Sequence, residues 1–309
     1  MSGVKKYFED VNRSASIYFR EHQQRLGLSY LLPGLALVVA VLGSSLAIII
    51  SYSFITPVPP QEGGVEFTLE HYQQLLETTL YFSILWDSFL IALATTAIAL
   101  IIGYPPAYLL SIMNSKYKNF YLLLLILPFW INVVVRTYAW RLILGSGGLL
   151  DWIFVDTLGV VQTDLQLLFS RGAISIGLIH VFLPFMIIPI YVSLASIDRA
   201  EIEAAKNLGA NQAIAFREIT WPQSLPGVSA GVLLVFVMSF GAFVVPSLLG
   251  GRGNIMIANT IAEMFGQLQA WGLGSAISVV FIFLLFILVF IFNRKVSLGN
   301  VYGIGGETE

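Results

Sequence analysis

The chain has 309 residues, of which 57% are hydrophobic and 11% are charged, and its formal net charge is −2. Soluble domains carry about 25% charged residues, so this composition excludes a soluble domain and indicates a membrane protein, for which no nucleic-acid partner is expected. The absence of cysteine excludes disulfides, thiol catalysis and cysteine-ligated metal.

Six apolar stretches can each cross a bilayer, whose hydrocarbon core of about 30 Å requires about 20 helical residues. They cover residues 28–54, 84–112, 120–144, 173–196, 225–249 and 273–292. We therefore predict an all-α membrane protein whose six transmembrane helices form one domain, residues 28–295. The polar leader, 1–27, lacks the compact apolar region and cleavage site of a signal peptide, and a glycine-rich tail, 296–309, follows the domain.

Lysine and arginine are distributed unevenly between the predicted loops. Twelve of the sixteen lie in the leader, the second loop, the fourth loop or the tail, and only Arg171 and Arg252 lie in loops on the other side. Because positively charged loops stay in the cytoplasm, both termini and the fourth loop, 197–224, are predicted to be cytoplasmic. The outer loops hold eight acidic residues. These either attract cations to an outer vestibule or merely reflect the exclusion of lysine and arginine from that side.

The second and third spans contain polar groups that are candidates for a vestibule or a translocation path. Asp87, at the outer end of the second span, is either such a group or an N-terminal cap in the headgroup region. In the third span Asn132, Arg136 and Trp140 recur every four residues, with Tyr138 between them. This stripe either lines a translocation path, where an aromatic ring can bind a cation, or forms an interfacial belt.

The fourth and fifth spans contain groups that suit contact between helices. His180 lies mid-membrane and is predicted to hydrogen-bond to a neighbouring helix. Gly231 and Gly241 permit close approach of helices, and Pro246 can act as a hinge, so the fifth span suits a gate. In the outer segment that follows, Glu263 is a further vestibule candidate.

The fourth loop is the one long polar interruption in the second half of the chain. Asp198 is placed to cap a helix, Glu201 to complete a capping box, and Gly209 to end that helix in a left-handed conformation. Asn211 is placed to cap a second helix, and Pro222 is expected to end it. The loop is therefore predicted to form two short helices set at an angle.

The spacing within this loop resembles the EAA loop of bacterial ABC importer permeases. A Glu-Ala-Ala triplet is followed after three residues by glycine, and after nine more by isoleucine, one residue, a large apolar residue and proline. The large residue is Trp221, where the family usually has leucine, so its packing is expected to differ. The resemblance implies that this loop docks into an ATP-hydrolysing subunit, through Glu203, Ala204, Ala205, Gly209, Ile219 and Pro222.

A wider similarity extends over nearly all of the chain from the first span onward. Tyr104-Pro105, Leu127-Pro128-Phe129-Trp130 and Leu183-Pro184-Phe185-Met186 resemble the spermidine/putrescine permeases, in particular the first of their two membrane subunits. This resemblance implies a type I ABC importer permease fold in the bacterial inner membrane. It also implies three kinds of partner: a second homologous permease subunit, an ABC ATPase subunit dimer and an extracytoplasmic polyamine-binding protein.

The chain has no P-loop sequence, Gly-x-x-x-x-Gly-Lys-[Ser/Thr], so ATP is expected on the partner subunit, with no cofactor or metal on this chain. Hydrolase motifs are also absent, and no catalytic residue is predicted. Two functions remain open: a permease subunit of an ATP-driven polyamine importer, and a secondary transporter driven by an ion gradient. A permease for another small cationic or amino-acid-like solute is a variant of the first. The lack of acidic residues at span centres favours the ATP-driven class.

Overall fold

The computed structural model describes residues 30–57, 65–114, 116–159, 163, 165–251 and 253–296. The predicted leader and the predicted tail beyond Val296 lie outside these residues, as do Asp164 and Arg252. The described residues belong to two compact units, divided between Thr68 and Leu69.

The first unit contains one long helix and a short hairpin. Helix α1, Tyr30–Ser53, is apolar and exposed along most of its length, and such a helix requires an apolar environment. Strands β1, Ile55–Pro57, and β2, Val65–Phe67, pair antiparallel. The rings of Phe54 and Phe67 stack at 5.4 Å. The sequence does not predict this hairpin, because its strands are only three residues long.

The second unit is helical throughout its described residues. Its longest helices are α3, Thr79–Ile112, which runs through Pro105 and Pro106, α7, Arg171–Ala195, and α13, Trp271–Val296. The others are α2, Glu70–Glu77; α4, Lys118–Ile126; α5, Val133–Leu144; α6, Leu149–Asp151; α8, Arg199–Asn207; α9, Gln212–Ala215; α10, Trp221–Phe240; α11, Val244–Leu249; and α12, Ile257–Gly266.

The predicted continuous third span, 120–144, is wrong, because this crossing is broken. Helix α4 continues as a 3₁₀ turn, Leu127–Trp130, and the chain then bends by 90° before α5. Pro128 removes one backbone donor within this turn. Asn132 starts the new helix, since its Oδ1 accepts a hydrogen bond from Val134 N–H at 2.8 Å. An apolar composition on both sides of the break conceals it in the sequence.

The broken pair α4–α5 nevertheless extends along the length of α7, with one contact near each end of that helix. Near the C-terminal end of α7, Lys118 Nζ lies 5.3 Å from the centre of the Tyr191 ring. At its N-terminal end, the Arg141 guanidinium lies 5.7 Å from the centre of the Phe169 ring, just before α7 begins. Together with the five continuous helices long and apolar enough to cross a membrane, the pair makes up to six crossings within the described residues.

The prediction that Pro222 ends a helix is also wrong. Helix α9 passes through a π-helical turn, Phe216–Thr220, into α10, so that one continuous helix of 29 residues results. The N–H of Trp221 bonds to the carbonyl of Phe216, five residues earlier, and this widened turn accommodates the proline ring. At its C-terminal end α10 stops at Phe240 rather than at residue 249, and α11 follows as a separate helix.

Helices α3, α7 and α10 form the core, and glycines set their separation. The side chain of Met186 in α7 lies between Gly103 of α3 and Gly231 of α10. A Cβ on these glycines would lie 3.2 Å and 2.9 Å from it. Closer to the N-terminus of α10, a Cβ on Gly227 would lie 2.6 Å from Ser193 Cβ. The close approach predicted for Gly231 is therefore confirmed, because only residues without a Cβ fit at these contacts.

Candidate functional site

Residues 198–211, here called the elbow, connect α7 to the long helix α9–α10. Helix α8 ends at Gly209, whose φ is +94°. The N–H of Gly209 bonds to Lys206 O at 3.0 Å and that of Ala210 to Ala205 O at 3.0 Å, which is the Schellman arrangement. The left-handed conformation predicted for Gly209 is confirmed, and it turns the chain sharply between two helices.

The caps of the elbow agree with the sequence except in one respect. Asn211 Oδ1 accepts from Ile214 N–H at 2.9 Å, and Asp198 Oδ1 accepts from Ala200 N–H at 2.9 Å. The predicted capping box is not formed, because the Glu201 carboxylate accepts instead from Gln223 Nε2. This contact joins α8 to the base of α10, which the sequence does not reveal because 22 residues separate the two side chains.

The elbow and the base of α10 are also held against α3. Arg199 Nη2 donates to the carbonyl of Ile112 at 3.2 Å, and the hydroxyls of Tyr104 and Ser224 hydrogen-bond at 3.0 Å. The Tyr104 ring lies 5.4 Å from that of Trp221 and 6.1 Å from that of Phe216. The elbow, α3 and α10 are therefore joined by both polar and aromatic contacts.

The residues predicted for docking divide into an exposed group and a packed group. Glu203, Ala204, Gly209 and Pro222 are exposed, whereas Ala205 and Ile219 are half-buried. Leu208, at the tip of the elbow, is 90% exposed, although an apolar side chain of this size is normally covered. The elbow thus presents a rigid, partly apolar surface on which no described residue of the chain packs.

The four residues of the predicted polar stripe all follow the break, as the N-cap of α5 or within that helix. Asn132 is used as the cap of α5, and Tyr138 is exposed. Arg136 is buried, and Trp140 is half-buried and donates from Nε1 to His180 Nδ1 at 3.1 Å. The interhelical hydrogen bond predicted for His180 is therefore confirmed. Of the four residues, the structure places Arg136 and Trp140 toward α7.

The acidic candidates at the outer end have different environments. Asp87 Oδ2 accepts from Arg171 Nη2 at 2.8 Å, in a partly exposed ion pair. Asp151, one of the eight outer acids, is buried and accepts from the N–H groups of Gly147 at 2.9 Å and Leu165 at 3.0 Å. It organises the outer loop. Glu263 is exposed on α12, and α12 meets α3 where Ile257 N–H donates to Ser88 Oγ at 2.9 Å.

A family model described as the binding-protein-dependent transport system inner membrane component matches residues 96–298, which include the elbow, α7, α10 and the second half of α3. The chain belongs to this family. It is a multi-pass membrane permease component of a transport system and not an enzyme.

Curated relatives of this permease carry a more specific name. The spermidine/putrescine transport system permease protein PotB of Escherichia coli is 36% identical over 252 residues, which cover 82% of this chain and 91% of the relative. That of Haemophilus influenzae is 34% identical over 253 residues, covering 82% and 88%. The predicted similarity to the spermidine/putrescine permeases is thus confirmed.

Solved structures confirm the predicted type I ABC importer permease fold. A chain of a bacterial ABC transporter that imports the acidic polysaccharide alginate superposes with a TM-score of 0.73 at 15% identity, over 94% of this chain and 98% of that one. A chain of the MetNI methionine ABC transporter superposes with a TM-score of 0.52 at 18% identity, over 71% and 95%. At these identities the likeness concerns the fold alone.

Proposed function

We propose that this permease is one of two membrane subunits of an ATP-driven importer of polyamines such as spermidine and putrescine. The elbow carries the proposal: it is exposed, rigid and joined without interruption to a helix of 29 residues that reaches the core. The 36% identity to permeases named for spermidine and putrescine supports the substrate class. ATP binds to a separate ATPase dimer in this proposal, because the chain has no P-loop.

The transport step follows from the way in which the elbow is braced. When the ATPase dimer closes, it displaces the exposed face of α8, including Glu203. Because the π-turn is followed directly by α10, the displacement also moves α10. The contacts of Gly227 with Ser193 and of Gly231 with Met186 leave no free space between α10 and α7, so α7 moves together with α10. This motion alternately opens the path to either side of the membrane.

The proposed orientation places the elbow and both termini in the cytoplasm and α12 on the outside, where an extracytoplasmic polyamine-binding protein docks. Glu263 is the vestibule acid that best suits attraction of a polycation, since its carboxylate is exposed. Asp87 contributes less, because Arg171 already neutralises it. We therefore expect Glu263→Gln to reduce polyamine uptake more than Asp87→Asn does.

Reconstitution of the chain with its partner subunits tests the proposal. Uptake of labelled spermidine into vesicles should require the ATPase, the binding protein and ATP. Glu203→Lys should abolish co-purification of the ATPase, whereas the matched control Glu77→Lys, on the exposed surface of α2, should leave it unchanged. Spermidine uptake by this chain alone, driven by an ion gradient, would identify a secondary transporter and contradict the proposal.

A further inference from the structure

Arg136 is a buried cation without a partner among the described residues. Its side chain lies in α5 with 9% exposure, and its buried Nε and Nη1 groups donate to no hydrogen-bond acceptor among the described residues. The guanidinium is charged at any physiological pH. A buried charge that is not paired strongly destabilises a protein, so such a group within a membrane span indicates a missing anion.

The described part of this chain offers no anion at that position. Helices α4, α5, α7, α10 and α13 contain no aspartate or glutamate, and the only acid in α3, Asp87, is paired with Arg171. The neighbouring polar group is His180, within electrostatic reach of Arg136. Its Nδ1 already accepts from Trp140 Nε1, and an imidazole does not carry the negative charge that a guanidinium requires.

The depth of the site limits where the anion can come from. Helix α7 begins at Arg171, whose partner Asp87 marks the outer end of the second crossing. His180 is nine residues further along, which is about 13 Å at about 1.5 Å per residue. Arg136 is therefore close to the middle of a hydrocarbon core about 30 Å thick. Lipid phosphates at the surface do not reach this depth, so a protein group is the appropriate source.

We propose that Arg136 forms an intramembrane ion pair with a carboxylate on a membrane helix of the second permease subunit. The inference rests on the proposed two-subunit importer and names a contact that holds the two subunits together. A carboxylate matches the planar fork of a guanidinium and can accept two parallel hydrogen bonds. The pair also removes a positive charge that would otherwise repel a polyamine in an adjacent path.

The ion pair is tested by one substitution that should change the Tm of the isolated chain and the association of the assembled transporter in opposite directions. Replacement of Arg136 by Met removes the buried charge but keeps a long, unbranched apolar side chain. In the isolated chain Arg136→Met should raise the Tm, because an unpaired charge is lost. In the assembled transporter the same change should weaken association with the second subunit by about tenfold or more, because the partner's carboxylate is left unpaired. Arg136→Lys should retain most of the association.

Arg141 provides a matched control in the same helix. It is half-buried, and its guanidinium lies against the Phe169 ring of this chain. Arg141→Met should therefore lower the Tm of the isolated chain without a selective effect on association. If Arg136→Met leaves association unchanged while the wild-type subunits assemble, the ion pair does not exist.

A charge exchange identifies the source of the carboxylate. Arg136→Asp should prevent assembly, and conversion of one intramembrane Asp or Glu of the second subunit to Arg should restore it. If no exchange restores assembly, and the Tm of the isolated chain depends on Arg136 in phospholipid vesicles but not in a phosphate-free detergent, the anion is a lipid phosphate and the inference is overturned. Failure of the wild-type chain to assemble with any second subunit would instead refute the proposed function itself.

Discussion

Replacing Gly209 by alanine perturbs the elbow at its most restricted residue. Gly209 has a φ of +94°, and a Cβ added there meets no atom within 4 Å, so the effect is conformational rather than steric. An L-residue in the left-handed region costs about 1–2 kcal/mol. If the backbone relaxes instead, the bonds from Gly209 N–H to Lys206 O and from Ala210 N–H to Ala205 O are lost, at about 0.5–1.5 kcal/mol each. The chain takes the cheaper route, and its cost of about 1–2 kcal/mol lowers the ratio of native to non-native elbow conformations by about 5–30-fold.

The assay is binding of the ATPase subunit to the reconstituted permease, with ATP-driven uptake measured in parallel. We expect Gly209→Ala to weaken ATPase binding by about 5–30-fold, and Gly209→Asn to have a smaller effect because asparagine tolerates left-handed conformations. Gly266→Ala is the matched control, since that glycine also has no atom within 4 Å but lacks a positive φ. Tight ATPase binding by Gly209→Ala, equal to that of the wild type, would refute the assignment of the elbow as the docking element.

Three further predictions concern contacts that position the site. Tyr104→Phe removes the hydrogen bond to Ser224 and should lower the free energy of unfolding by about 0.5–1.5 kcal/mol. In a double-mutant cycle, Ser224→Ala should add little to this loss. Full additivity of the two substitutions would show that the bond is unimportant. Asp151→Asn weakens the hydrogen bonds that the carboxylate accepts from Gly147 and Leu165, and it should lower the local stability of this loop by about 1–3 kcal/mol. Faster hydrogen exchange at the amides of these two residues would show the loss. Unchanged exchange would contradict the role of Asp151 in this loop. Gly227→Ala places a Cβ against Ser193 and should destabilise the protein by about 1–3 kcal/mol in thermal unfolding. Gly266→Ala is the control and should have no such effect. Equal Tm values for the two variants would exclude the close contact of α7 and α10.

Much of the candidate site was predictable because it depends on local interactions. The caps at Asp198 and Asn211 and the left-handed Gly209 are properties of a few consecutive residues, and the structure confirms all three. The contacts of Glu201 with Gln223 and of Tyr104 with Ser224 were not predictable, because each joins residues that are distant in the chain. For the contact between Tyr104 and Ser224, the only signal in the sequence was the presence of aromatic residues near the end of α3.

Pro128 and Pro222 show why proline alone did not locate the helix ends. Pro128 lies within an apolar stretch and Pro222 near the end of the polar fourth loop, yet the chain bends by 90° after Pro128 and continues as a helix through Pro222. The difference lies in how the neighbouring backbone is satisfied: Asn132 caps a new helix after the first, whereas a π-turn precedes the second. Hydropathy records only whether a segment is apolar, and it contains no information on this choice.

The sequence by itself determined the membrane class of the protein and the elbow, because hydropathy and helix caps act over short distances. The six predicted crossings correspond to five continuous helices and one broken pair among the described residues. Only the tertiary structure decided which polar groups are already used and which remain without a partner. Among the residues that the structure describes, Asp87 and Asp151 have partners, whereas the Nε and Nη1 groups of Arg136 have none. That distinction depends on which side chains from distant segments meet at one depth, and pairing of this kind arises only when the helices pack.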